Sequence, residues 1–201
     1  MMVPAEHLGQ ARMFRQSVVI ADRRVNAALS TIAEPLRRRF ERKPTLRSDQ
    51  VIDASRAWAE LVSDAFTLGL RINPRKGSLS IIETRVCGGK WRSDGWDEPD
   101  WQSGISVIRI TLMAEDGCLK TTVQPLANLL LHALARRFER GDGRTTGTVV
   151  RDLKALASGA SGCAIAIPVP SGGRWIGERK AVRDEGQQQD VTVFDCKTYL
   201  H

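Results

Sequence analysis

Cysteine, aromatic residues and long apolar runs are all scarce in this 201-residue sequence, and each shortage excludes a class of protein. Cys87, Cys118, Cys163 and Cys196 stand about thirty residues or more apart, so they form neither zinc-ribbon pairs nor the dense framework of a small secreted domain. They read as reduced thiols. No stretch approaches the roughly 18 to 20 consecutive apolar residues of a membrane-spanning helix. Residues 1–16 carry Glu6, His7, Arg12 and Arg15 where a signal peptide is apolar. The expectation is a cytoplasmic protein with no membrane partner. Histidines number three, and no ligand spacing links His132, His201, Asp195 and Cys196, so no metal is expected. The Gly-Gly-Arg-Trp-Ile-Gly turn at 172–177 lacks the helix that a dinucleotide fingerprint requires, so no cofactor is expected either.

Positive charge is what the sequence has in excess. Lysine plus arginine total 30 against 23 acidic residues, a net charge of +7 that favours RNA or another polyanion as partner. With 42% hydrophobic and 26% charged residues, the chain has the composition of a globular protein of one domain or two small ones.

Along the chain, a helix is predicted over 23–42, interrupted by Pro35 and ending in the basic cluster Arg37, Arg38, Arg39, Arg42 and Lys43. That cluster reads either as a solvated face or as a phosphate-contacting patch. A second helix is predicted over 49–68, with Ser48 as N-cap and Gly69 as stop. Strands follow at 79–87 and 105–113, separated by a loop over 88–104 that carries Trp91, Trp96 and Trp101 among acidic residues. Those acidic residues oppose nucleic acid and point instead to a protein partner, as for an inhibitor or scaffold. The turn Glu115-Asp116-Gly117 leads into 118–123, a strong hairpin signal. Pro125 opens a helix predicted to run to Arg140, and another helix is predicted over 145–157. Short strands at 163–169, 174–178 and 191–200 close the chain. The pattern predicts an α+β fold with a helical N-terminal part, a central β-hairpin and two C-terminal helices packed on an antiparallel sheet. The corresponding division is a basic helical region over 1–76 and an α+β domain over 77–201.

The segment 129–140 holds the interior histidine. A helical wheel puts Leu130, Leu134 and Phe138 on one side and His132, Arg136 and Arg140 on the other. An imidazole followed by guanidiniums at i+4 and i+8 suits a scissile phosphate, because the imidazole moves a proton and the guanidiniums hold phosphate oxygens. The same residues also suit a solvent-facing helix surface.

His132, Ala133, Arg136 and Arg140 form a His-Ala-x-x-Arg-x-x-x-Arg pattern that resembles the motif helix of the RelE and barnase-like toxin ribonucleases of bacteria. The resemblance covers 126–201. It implies helices preceding a curved antiparallel sheet, with the active site where they meet, and a metal-independent RNase-like toxin or RNA-processing function. His132 is then general acid or base, and Arg136 and Arg140 are phosphate ligands. The terminal strand supplies a second group from Lys197 or Tyr199, which alternation places on one face. The sequence departs from the family in its length, which leaves 1–123 unassigned, and in the Gly141-Asp142-Gly143-Arg144 insertion. The competing reading is a non-catalytic nucleic-acid-binding or regulatory module, of bacterial or phage type, that uses its arginines electrostatically.

Overall fold

The computed structural model describes residues 3–40, 42, 46–75, 77–89, 91–92, 95–96, 104–160, 162, 165–184 and 189–201, with side chains in all of these except 27–31, 33, 39, 40, 91, 92, 95, 96 and 184. Two helices come first, α1 (Ala5–Phe40) and α2 (Ser48–Leu61). Strands β1 (Thr67–Arg75) and β2 (Ser78–Gly88) lead to the short β3 (Trp91–Arg92) and β4 (Gly95–Trp96). Then come β5 (Ile105–Glu115), β6 (Cys118–Leu129), α3 (Leu131–Arg140), α4 (Thr146–Gly159), β7 (Ala166–Pro168), β8 (Arg174–Asp184) and β9 (Gln189–Leu200).

The class is α+β, but its organisation differs from the one predicted. All strands except β3 and β4 join one mixed seven-stranded sheet in the order β1-β2-β5-β6-β9-β8-β7, with β6 and β9 parallel. The predicted central hairpin is therefore the middle of this sheet, and the last three strands extend it rather than forming a sheet of their own. Residues 1–76 and 77–201 share the sheet, since Arg75 at the end of β1 pairs with Ser78 at the start of β2. The N-terminal segment is thus not wholly helical.

Three boundaries move for identifiable reasons. Helix α1 begins at Ala5 and runs through Pro35, because Ala11, Phe14, Val18 and Val25 continue the apolar stripe toward the N-terminus. Helix α2 ends at Leu61, well before Gly69. There the Asp64 carboxylate accepts the Phe66 N–H at 2.8 Å and forms a turn that launches β1. Residues 118–129 form a strand, where the sequence predicts a helix from Pro125. Pairing with β5 along this length overrides the helical preference of the leucines and alanines. Pro125 sits beside a bulge and just before the pairing with β9 begins at Ala127, where a missing N–H costs little. The β5–β6 turn is as predicted: Asp116 (φ 49°) and Gly117 (φ 74°) both adopt the left-handed conformation of a type I′ turn.

Helix α1 belongs to two cores. Its N-terminal half packs Ala11, Phe14 and Val18 with α3, α4 and one face of the sheet, the face of Val86, Val107, Ala127 and Phe194. Its C-terminal half packs Val25, Ile32 and Leu36 with Trp58 of α2 and the opposite face, that of Leu79, Ile81, Ile110 and Leu112. The helix crosses at the end of β2, where Gly88 admits it. A Cβ there would lie 2.3 Å from Val19 Cγ2, and the Gly88 N–H donates to Asp22 at 2.6 Å. Helix α4 touches both edge strands, β1 and β7, as well as β6, so the sheet curls around it. Helix α3 packs on α1 and β9 with Leu134 and Phe138 buried, whereas Leu130, the N-cap residue, is 38% exposed.

Candidate nucleic-acid interface

The residues singled out from sequence are only partly brought together. His132 is exposed, and Arg136 Nε lies 3.5 Å from its Nε2. Partial desolvation, then the Arg136 charge, hold the imidazole below its ordinary pKa, which favours the neutral ring at pH 7. Arg136 is buried, with its guanidinium 2.6 Å from Glu139, and Arg140 lies 3.4 Å from the same carboxylate and 3.5 Å from the Tyr199 carbonyl. One carboxylate thus answers two arginines, and the Arg136 hydrogen bond lowers the Glu139 pKa. The second pair, Lys197 and Tyr199, do not share a face. Lys197 is the extra residue of a bulge between Cys196 and Thr198, which breaks the alternation. Lys197 points outward to Glu178 at 3.2 Å, whereas Tyr199 is wholly buried with its hydroxyl 2.7 Å from Ser171 Oγ.

His7 is a residue that sequence reasoning overlooked because of its terminal position. It is buried in the first turn of α1, 3.0 Å from Gln10 Oε1, and near enough to Glu139 to help lower that carboxyl's pKa. Among the described residues, no group of three or more histidine, cysteine or acidic side chains is placed to hold a metal. No described helix is long and apolar enough to cross a membrane.

The N-terminal basic cluster is exposed at Arg37, Arg38 and Arg42. Arg37 and Arg38 share Glu34, at 3.2 and 2.9 Å, so this cluster is partly neutralised within the helix. The Arg39 side chain and all of Lys43 lie outside the described residues. In the 88–104 loop, Trp91 and Trp96 are directly paired across the small β3–β4 hairpin; their side chains, and all of Trp101, lie outside the described residues.

A different surface carries cations outside any ion pair among the described residues. On the face that α4 covers at one end, the other end of β1, β2, β5 and β6 is open. Its register gives the rows Gly69-Thr84-Arg109-Gln124, Arg71-Ile82-Thr111-Thr122 and Asn73-Ser80-Met113-Lys120, with Arg75-Ser78 and Glu115-Cys118 at the rim. None of these side chains is buried, although Val86 and Val107, one row further along, are completely so. Hydroxyls and amides dominate, four cations project from the face, and Glu115 is its one acidic residue, at the hairpin end. Arg71, Arg75, Arg109 and Lys120 have no carboxylate partner among the described residues; Arg109 meets only the Gln124 side-chain oxygen, at 3.4 Å. The contrast with Arg37 and Arg38 on Glu34, Arg136 and Arg140 on Glu139, and Lys197 on Glu178 is direct. A signal for this surface lay in the sequence: Arg71, Asn73 and Arg75 alternate with period two, and Arg109 interrupts an apolar alternation.

No family model, curated protein or solved structure matches this chain.

Proposed function

We infer that the protein binds nucleic acid through its phosphates, without cleaving it, on the open face of β1, β2, β5 and β6. The observation that carries this reading is the set of four cations there with no ion-pair partner among the described residues, on a hydroxyl-rich surface that no other described element covers and that holds one carboxylate, Glu115, at its rim. Free cations on an exposed face release counterions from a polyanion, whereas cations already paired with carboxylates gain little by exchange. The net charge of +7 adds long-range attraction. The test is a titration of labelled RNA with the full chain at several salt concentrations. Affinity is expected to fall steeply with salt, and Arg71→Glu with Arg109→Glu to weaken binding by about tenfold or more. Affinity unchanged by that double reversal sinks the assignment.

A second reading, the metal-independent ribonuclease, is favoured by one specific observation: an exposed His132 with Arg136 Nε 3.5 Å from its Nε2 and Arg140 a turn further on. In it His132 acts as general acid or base, and the second proton-transfer group is drawn from Lys197, Tyr199 or His7. Cleavage that survives EDTA, leaves a 2′,3′-cyclic phosphate and falls by about 10² or more in His132→Ala selects this reading over simple binding.

A further inference from the structure

We propose that the nucleic acid on this face is a single extended strand, lying along β2 and β5 with one nucleotide to each row of side chains; the proposal rests on the nucleic-acid reading above. Each of the four rows supplies one cation, in the order Arg109, Arg71, Lys120, Arg75. Same-face rows recur every second residue, about 6.8 Å apart, which is close to the phosphate spacing of an extended sugar-phosphate chain. The cations alternate about one line: Arg71 and Arg75 reach in from β1, Arg109 and Lys120 from β5 and β6. Strands are about 4.8 Å apart, so long side chains from either side converge on one backbone above β2 and β5. Two backbones held side by side, as across a duplex groove, call for two cations in a row, and no row has them.

The end nearest α4 gives the strand a terminus. There a cleft of about 430 Å³ is lined by Gly69, Leu70, Arg71, Ile82, Thr84 and Arg109, so one hydroxyl and two guanidinium side chains share it. The next row, Val86 and Val107, is sealed into the core with α4, so the strand cannot continue past the cleft on this face. Four nucleotides fill the site. No aromatic side chain stands in these rows, so bases gain no stacking platform and base identity has little influence.

The experiment measures fluorescence anisotropy of the full chain with labelled oligothymidylates of two, four, six and twelve nucleotides, a mixed-sequence twelve-mer, and its duplex. Affinity is expected to climb steeply up to four nucleotides and only slightly beyond. The single-stranded twelve-mer is expected to bind about tenfold or more tighter than the duplex. For four phosphate contacts the slope of log affinity against log salt is expected near about −2.8, and each of Arg71→Gln, Arg109→Gln and Lys120→Gln is expected to reduce it by about 0.7. Urea midpoints of the variants check that they fold. Tighter duplex binding that the same variants weaken overturns the single strand and leaves the nucleic-acid reading intact. Single-strand binding that the variants do not change overturns the site. Binding of neither oligonucleotide by the native chain overturns both.

Discussion

Arg137 on α3 and Arg85 on β2 are buried alike, at 0% and 1% exposure, yet their surroundings differ in charge and in completeness. Arg137 bonds to the equally buried Asp152 and donates to the carbonyls of Gly143 and Asp142, at 3.0 and 3.2 Å, while its guanidinium lies 5.6 Å from the centre of the Tyr199 ring. Asp152 in turn accepts from the Ser171 N–H at 3.2 Å and from its hydroxyl at 2.6 Å. One positive charge meets one negative charge, and α3, α4, the 141–144 loop and β9 are tied at one point. Arg85 instead faces three carboxylates, Glu83 at 2.9 Å, Asp64 at 3.1 Å and Asp22 at 3.5 Å. Its own Nε and Glu83 Oε2 have no hydrogen-bond partner among the described residues. Burial raises the pKa of both Glu83 and Asp22 despite the guanidinium beside them. The first cluster is a closed lock; the second holds excess negative charge that a proton can relieve.

The comparison is tested most severely by removing each arginine. Arg137→Ala strands a fully buried carboxylate, and a loss of about 3 to 5 kcal/mol is expected from urea unfolding at pH 7. Arg85→Ala strands Glu83, equally buried, and is expected to recover part of its loss when the measurement is repeated at pH 5, because Glu83 and Asp22 can take up protons, whereas the Arg137→Ala loss is not tied to that cluster. A loss for Arg85→Ala that does not change with pH erases the distinction between the two clusters.

A smaller effect sharpens the same contrast. Glu83 and Asp22 have folded pKa values above their ordinary ones, so the folded chain binds protons more tightly there than the unfolded chain does. Their contribution to stability is fully present below the ordinary carboxylate range and is lost as pH rises through the raised folded values. Glu83→Gln is expected to change stability by no more than about 1 kcal/mol at pH 7 while removing part of this dependence. The measurement is the unfolding midpoint against pH for the two chains; superimposable pH profiles show that Glu83 does not titrate in the window.

How much of this was legible follows local chemistry. The Asp116-Gly117 turn, the β2 and β5 strands and helix α4 were readable, because turn chemistry and periodicity agreed with the final packing. Residues 118–129 misled because Leu126, Ala127 and Leu129 prefer helix, and only pairing with β5 across a long hairpin and with β9, which is distant in sequence, decides otherwise. At the site, His132, Arg136 and Arg140 lie together on α3, whereas a bulge at Lys197, which strand alternation does not reveal, separates it from Tyr199. The open face was invisible as a surface, because Arg71, Arg109 and Lys120 come to one face only through the register of four strands.

That face also makes the smallest prediction, and one that separates binding from stability. Among the described residues Arg109 has a single side-chain hydrogen bond, to Gln124, and its nearest charged neighbours in the register are other cations. Removing it loses little and relieves repulsion among Arg71, Arg75 and Lys120. Arg109→Gln is therefore expected to leave stability within about 0.5 kcal/mol of the native value, with any gain largest at low ionic strength and vanishing as salt screens the face. Oligonucleotide affinity in the same variant is expected to fall several-fold. Unfolding midpoints at low and high salt, measured beside the anisotropy titration, give both quantities on one preparation. A variant that loses stability and affinity together marks Arg109 as part of the scaffold. One that loses affinity alone marks the cation as held there for a ligand, in contrast to Arg137, whose charge is used up inside the fold.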